Sequence, residues 1–241
     1  LVAFVVGTRA PADSGYRILG AHTDSPNLRV KPNAPSAKKG YLQIGVEPYG
    51  GLLLSTWLDR DLSIAGRVMV LKDGAPQPVL VDLRRPLARV SNLAIHLDRK
   101  VNDEGLKLNK QRHMVPVVGL GEDKLDLEAE LAALADSAAA DLLGYDLCLY
   151  DTHKGTIGGL DDEFVYVARL DNLASCFAAI EALSGVVHAL EPTAVVALYD
   201  HEECGSQSMA GAKSRFLGSV TERIACGHPG AKRESLARAL S

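Results

Sequence analysis

The chain has 241 residues, of which 47% are hydrophobic and 23% charged, a balance that excludes a disordered chain, a collagen and a coiled coil. The formal net charge of -4 gives no electrostatic footprint for nucleic-acid binding. The longest apolar runs, such as residues 1–6, fall far short of the roughly 18–20 residues that cross a bilayer, so neither nucleic acid nor membrane is an expected partner.

The chain opens directly in an apolar, strand-like run with no Met and no signal-peptide pattern, which reads as a segment of a longer chain. Cys148, Cys176, Cys204 and Cys226 are widely spaced and form no Cys-x-x-Cys pair. They read as reduced thiols of a cytoplasmic protein, not as a disulfide framework or a zinc ribbon, and as uninvolved in chemistry.

In chain order, residues 1–7 and 16–21 are short apolar runs bounded by turn residues, which predicts strands. Residues 27–40 are rich in Pro, Lys, Ser and Asn and read as a linker or domain boundary. Between residues 41 and 118 the segments YLQIGVE, LLLSTWL, GRVMVL, PVLVDL, NLAIHL and MVPVVG predict short strands of a β-rich unit. Residues 126–143 predict a helix. Beyond Asp151 the pattern alternates, with a strand at 164–168, a helix at 172–183, a strand at 193–199 and a helix at 207–217. Such alternation predicts an α/β fold, a parallel-type sheet covered by helices. The simplest assembly is discontinuous: residues 1–30 and 152–241 form the α/β domain, and the β-rich residues 31–151 are an insertion.

Three motifs fall at the ends of the apolar strands, where ligands bind in open α/β sheets. In His22-Thr23-Asp24, an imidazole and a carboxylate two residues apart point the same way, the arrangement in which an acid orients a metal-binding histidine. A turn histidine beside a helix-capping Asp gives the same sequence. In Arg169-Leu170-Asp171-Asn172, Asp171 either caps the next helix or extends a carboxylate toward two cations. In Asp200-His201-Glu202-Glu203-Cys204, adjacent acids at the end of a buried strand repel each other unless cations offset them. One carboxylate then ligates a metal while its neighbour takes a proton from the attacking water; the alternative is a solvated, acidic helix start. His201 is either a ligand or a bystander. Taken together, three such junctions in one α/β unit favour a hydrolytic metal site, with His, Asp and Glu donors suited to zinc, manganese or cobalt.

The segments AHTDSPNLRVKP, YGGLLLSTWLDRDLSIAGRV, LAIHLDRKVN, ARLDNLASCFAAIEAL and LYDHEECGSQSMAGAKS resemble, in order, the aspartyl aminopeptidase family of cytosolic metallopeptidases, from about Phe4 to Phe216. The resemblance implies two divalent metal ions, zinc first among them, with His22 and Glu203 as ligands and Asp171 bridging the pair. Asp24 would orient His22, and Glu202 would be the general base. The inserted unit is similar to the family's dimerisation domain, where His96 of the Ile-His-Leu motif is implied to reach a neighbouring subunit's active site and hold the oxyanion. From the residues alone, His96 is an ordinary strand histidine. The family usually has Asn where His201 stands and Val where Cys204 stands. It also carries a further ligand Asp, substrate-binding residues and a final ligand His in the region following Ser241; His228 matches neither ligand.

The reading is therefore a metallo-aminopeptidase that removes N-terminal Asp or Glu from peptides and self-associates as a homo-oligomeric dodecamer. A related two-metal aminopeptidase or N-deacylase would use the same inner residues. A truncated, inactive assembly subunit is the reading from a different class.

Overall fold

A computed structural model describes residues 1–123, 125–186 and 189–231. In chain order the elements are β1 (Val2–Val5), α1 (Pro11–Ser14), β2 (Tyr16–His22), β3 (Asn27–Lys38), β4 (Tyr41–Tyr49), β5 (Leu62–Lys72), β6 (Ala75–Asp82), α2 (Val101–Glu104), β7 (Val117–Leu120), α3 (Leu127–Leu134), β8 (Leu142–Asp151), β9 (Thr156–Gly158), β10 (Phe164–Tyr166), α4 (Leu170–Ser184), β11 (Thr193–Tyr199) and α5 (Phe216–Gly227). The fold is α/β, and the chain divides into two compact units, one of residues 1–25 with 167–241 and one of residues 26–166.

In the discontinuous unit, β11 is the centre of a three-stranded sheet ordered β1-β11-β2. It pairs antiparallel with β1 and parallel with β2, in register from Thr193 opposite Tyr16 to Tyr199 opposite His22. The sheet is thus mixed, with the parallel pairing of β2 and β11 at its heart and β1 added antiparallel. Val195, Val196 and Ala197 are almost wholly buried, as a central strand requires. Helix α4 lays Cys176 and Ala179 against Ala21, Val196 and Leu198. Gly7 can only be glycine: a Cβ there would lie 2.3 Å from the Glu191 carbonyl oxygen.

The second unit is a six-stranded antiparallel sheet ordered β6-β5-β8-β3-β4-β7. Its strands alternate, so that Leu62, Ile64, Val68 and Val70 of β5 and Leu147 and Leu149 of β8 share one buried face. Leu127 and Leu131 of α3 pack onto that same core.

Several local expectations are corrected. Residues 27–40 are no linker but the long strand β3. The pairing with β4 shifts register between Val30 and Pro35, so Pro32 lies in the irregularity and outside the paired positions. LLLSTWL and NLAIHL form 3-10 turns at Leu54–Trp57 and Ile95–Leu97, not strands. The helix of residues 126–143 stops at Leu134, where Asp136 turns to positive φ, and the chain enters β8 at Leu142. Phe164–Tyr166 is a strand, but it belongs to a hairpin with β9 in the second unit. The two compact units divide at 25/26 and 166/167. Residues 207–215 are turns, and the helix begins only at Phe216.

Candidate metal centre

The parallel pairing of β2 and β11 sets His22 opposite Tyr199 at adjacent strand ends. The Thr23 N–H continues the ladder by donating to the Tyr199 carbonyl at 2.8 Å. Everything that follows β11 therefore emerges beside His22. This is the carboxyl end of the parallel pair, the edge at which open α/β sheets bind ligands.

His22 is buried, 8% exposed. Its Nδ1 faces Asp24, 3.0 Å from the carbonyl oxygen and 3.3 Å from Oδ1. With the proton on Nδ1, the lone pair of Nε2 is turned to the other acids. Nε2 lies 3.2 Å from Asp171 Oδ1 and 3.7 Å from Glu202 Oε2. The backbone beneath is fixed from helix α4, where the Cys176 thiol donates to the His22 carbonyl at 3.0 Å. Cys176 is thus part of the scaffold under the site. A buried thiol is a poor anion, and burial pushes its pKa up.

Asp171 sits at the start of α4 with non-helical backbone angles, and the Ser25 hydroxyl donates to its carbonyl at 3.0 Å. Among the described residues no helix N–H donates to the Asp171 side chain. Its carboxylate is turned to His22.

Glu202 and Glu203 begin a one-turn 3-10 segment, Glu202–Cys204, not the acidic start of a long helix. Their amide N–H groups donate to the two oxygens of Asp24, at 3.2 Å for Glu202 and 3.1 Å for Glu203. Asp24 therefore holds both the imidazole of His22 and the turn that carries the two glutamates. Sequence spacing shows the first of these roles and misses the second, because the donors lie 178 and 179 positions away.

His22, Asp171 and Glu203 present ligand atoms that all lie within 4.8 Å of one another. Imidazole and carboxylate donors without thiolate are a zinc set of the open, catalytic kind. The electrostatics agree, since four carboxylates (Asp24, Asp171, Glu202 and Glu203) surround one imidazole. Burial, then the charge of Glu202, pushes the Glu203 carboxyl above the usual range, with His22 opposing. Burial alone would lower the His22 pKa, yet the Asp24 carbonyl and the Glu202, Asp24 and Asp171 carboxylates together raise it. A divalent cation relieves this crowding, so the residues fit the group.

His96 lies in the second unit, exposed, on the 3-10 turn Ile95–Leu97. His228 is buried elsewhere in the first unit, its Nε2 3.1 Å from the Gly7 carbonyl and its Nδ1 accepting the Gly230 N–H at 3.0 Å. It takes no part in the cluster. His201 reaches Ser208, with Nδ1 2.5 Å from the hydroxyl oxygen.

A family profile described as aminopeptidase I zinc metalloprotease (M18) matches residues 1–240. A protein named probable M18 family aminopeptidase 2 from Streptomyces avermitilis is 47% identical over all of this chain and 56% of its own length. The cryo-EM structure of the Ape4 and Nbr1 complex matches with a TM-score of 0.89 and 38% identity, covering 98% of this chain and 49% of that one. The S. cerevisiae mApe1 dodecamer matches with a TM-score of 0.79 and 32% identity over 98% of this chain and 55% of its own. The chain belongs to the M18 family of aminopeptidase I zinc metalloproteases. It spans about half the length of the relatives it matches. Among the described residues no helix is long and apolar enough to cross a membrane.

Proposed function

We propose that the protein is a zinc aminopeptidase that removes N-terminal Asp or Glu from peptides. The observation that carries the reading is the convergence of His22, Asp171 and Glu203 on one point, with the Glu202 carboxylate facing the same imidazole.

In this reading His22 and Glu203 would hold the metal as ligands, and Asp171 would be the carboxylate shared between two ions. Zinc, when bound, supplies positive charge that polarises the scissile carbonyl and acidifies the attacking water. Glu202 accepts that water's proton and delivers it to the leaving amine. Asp24 keeps both glutamates in place through their amides. His96, offered by a neighbouring subunit, donates a hydrogen bond to the developing oxyanion. The inserted unit acts as the dimerisation domain, and the S. cerevisiae relative, named as a dodecamer, supports a dodecameric assembly. The acidic preference follows the resemblance of the quoted segments to aspartyl aminopeptidases. Four free thiols suit a cytoplasmic setting.

The test is hydrolysis of otherwise identical Asp-, Glu- and Ala-terminated peptides by the zinc-loaded full gene product, with metal content measured alongside. About two zinc ions per subunit and faster cleavage of the acidic peptides are expected. Preference for Ala keeps the aminopeptidase and removes the acidic specificity. Zinc binding with cleavage of N-acyl amino acids instead moves the reading to an N-deacylase.

A further inference from the structure

The turn bearing Glu202 and Glu203 is held on one side by Asp24. On its other side, His201 adopts the left-handed region at φ 60, ψ 26, which few residue types other than Gly, Asn, Asp and His accept readily. Its N–H donates to Asp200 Oδ1 at 2.8 Å, and its carbonyl accepts the Ser206 N–H at 2.8 Å. Its ring bridges the loop, with Nδ1 2.5 Å from Ser208 Oγ and Nε2 3.6 Å from Asp200 Oδ2. The base of the loop is closed by the Asp200 N–H donating to the Ala210 carbonyl at 3.1 Å. The backbone bonds alone define a turn. The side-chain pair adds a lateral anchor immediately before the two glutamates.

We infer that His201 and Ser208 form a clamp that positions the Glu202–Glu203 pair, making both of them positioning residues for zinc binding and for turnover. The inference rests on the zinc-peptidase reading above. Its physical basis is that carboxylates serving as base and ligand lose efficiency when displaced by about an ångström, and groups that orient such residues commonly contribute about 10–100-fold in affinity or rate.

Ser208→Ala in the zinc-loaded full gene product removes the anchor and leaves the His201 backbone untouched. Zinc affinity, read by chelator competition, falls about 10-fold, and kcat falls about 10-fold with KM within about twofold. His201→Leu loses as much or more. His201→Asn accepts the same backbone angles and carries an amide atom near the Nδ1 position, so it stays within about threefold of the parent in both readouts. The Ser208→Ala, His201→Leu double variant is no worse than His201→Leu alone, because one contact cannot be lost twice. Unchanged zinc affinity and kcat in Ser208→Ala, or multiplying losses in the double variant, overturns the clamp. A parent protein that binds zinc but cleaves no peptide overturns the peptidase reading, and the clamp is then decided by zinc affinity alone. A parent that binds no zinc overturns both.

Discussion

Asp24 and Glu203 are 179 positions apart, and the carboxylate of the first accepts the amide N–H of the second at 3.1 Å. The same carboxylate reaches His22 Nδ1 at 3.3 Å. One side chain thereby couples the end of β2 to the turn after β11, and a shift in either strand end is felt at both His22 and Glu203.

Asp24→Ala leaves His22 without its acid and frees the Glu202–Glu203 turn. Zinc affinity should fall about 10–100-fold, the range for losing a group that orients metal ligands. Chelator competition measures it, and unchanged affinity would show that the strand ends hold the ligands unaided.

Asp171→Ala should lose metal together with activity, because its carboxylate is turned to His22 at 3.2 Å and caps no helix among the described residues. Metal analysis after gel filtration checks this. Full occupancy in the variant would return Asp171 to a structural role at the start of α4.

Zinc binding should release protons. The pKa of His22 and that of Glu203 are both raised in the metal-free fold, and both groups must be deprotonated to act as ligands. For each group the fold holds its proton more tightly than the unfolded chain does. The contribution of these two groups to the stability of the metal-free protein is therefore fully present below their unfolded pKa values and is lost as pH rises through the folded ones. Zinc affinity rises across the same window. Calorimetric titrations in buffers of different ionisation heat read the released protons directly, and a heat independent of buffer would contradict the assignment.

Gly66→Ala tests the second unit. A Cβ at Gly66 would stand 2.2 Å from the Asp146 carbonyl oxygen and 2.9 Å from the Leu147 Cα, so β5 and β8 would have to part. Overpacking of this kind costs about 1–3 kcal/mol. Denaturant unfolding measures the loss, and an unaltered midpoint would mean that the strands can separate freely.

The parts of the fold legible in the sequence are those whose local signal and tertiary fate agree. Tyr16–His22 and Thr193–Tyr199 are apolar runs that end in chemistry-bearing residues, and both form strands ending at the site. Residues 27–38 conceal a strand because Pro32 and Pro35 look like breakers, yet Pro32 falls in the register shift and Pro35 pairs opposite Ile44. Ile95–Leu97 has strand composition yet turns, and its apolar side chains are exposed. His22, Asp24, Asp171, Glu202 and Glu203 stand out because a histidine and clustered acids fall at the predicted strand-to-helix junctions of an α/β unit. The hydrogen bonds made by Cys176 and Ser208, and Asp24's hold on distant amides, leave no local trace. They depend on contacts between strand ends and loops that only folding brings together.

The most direct test of the account is Glu202→Gln in the full gene product, assayed for zinc content and for cleavage of an Asp-terminated peptide. Gln keeps the amide held by Asp24 but cannot take a proton. Zinc content should therefore match the parent while kcat falls by about 10²–10⁴. Near-parental turnover with full zinc would contradict the assignment of Glu202 as the base.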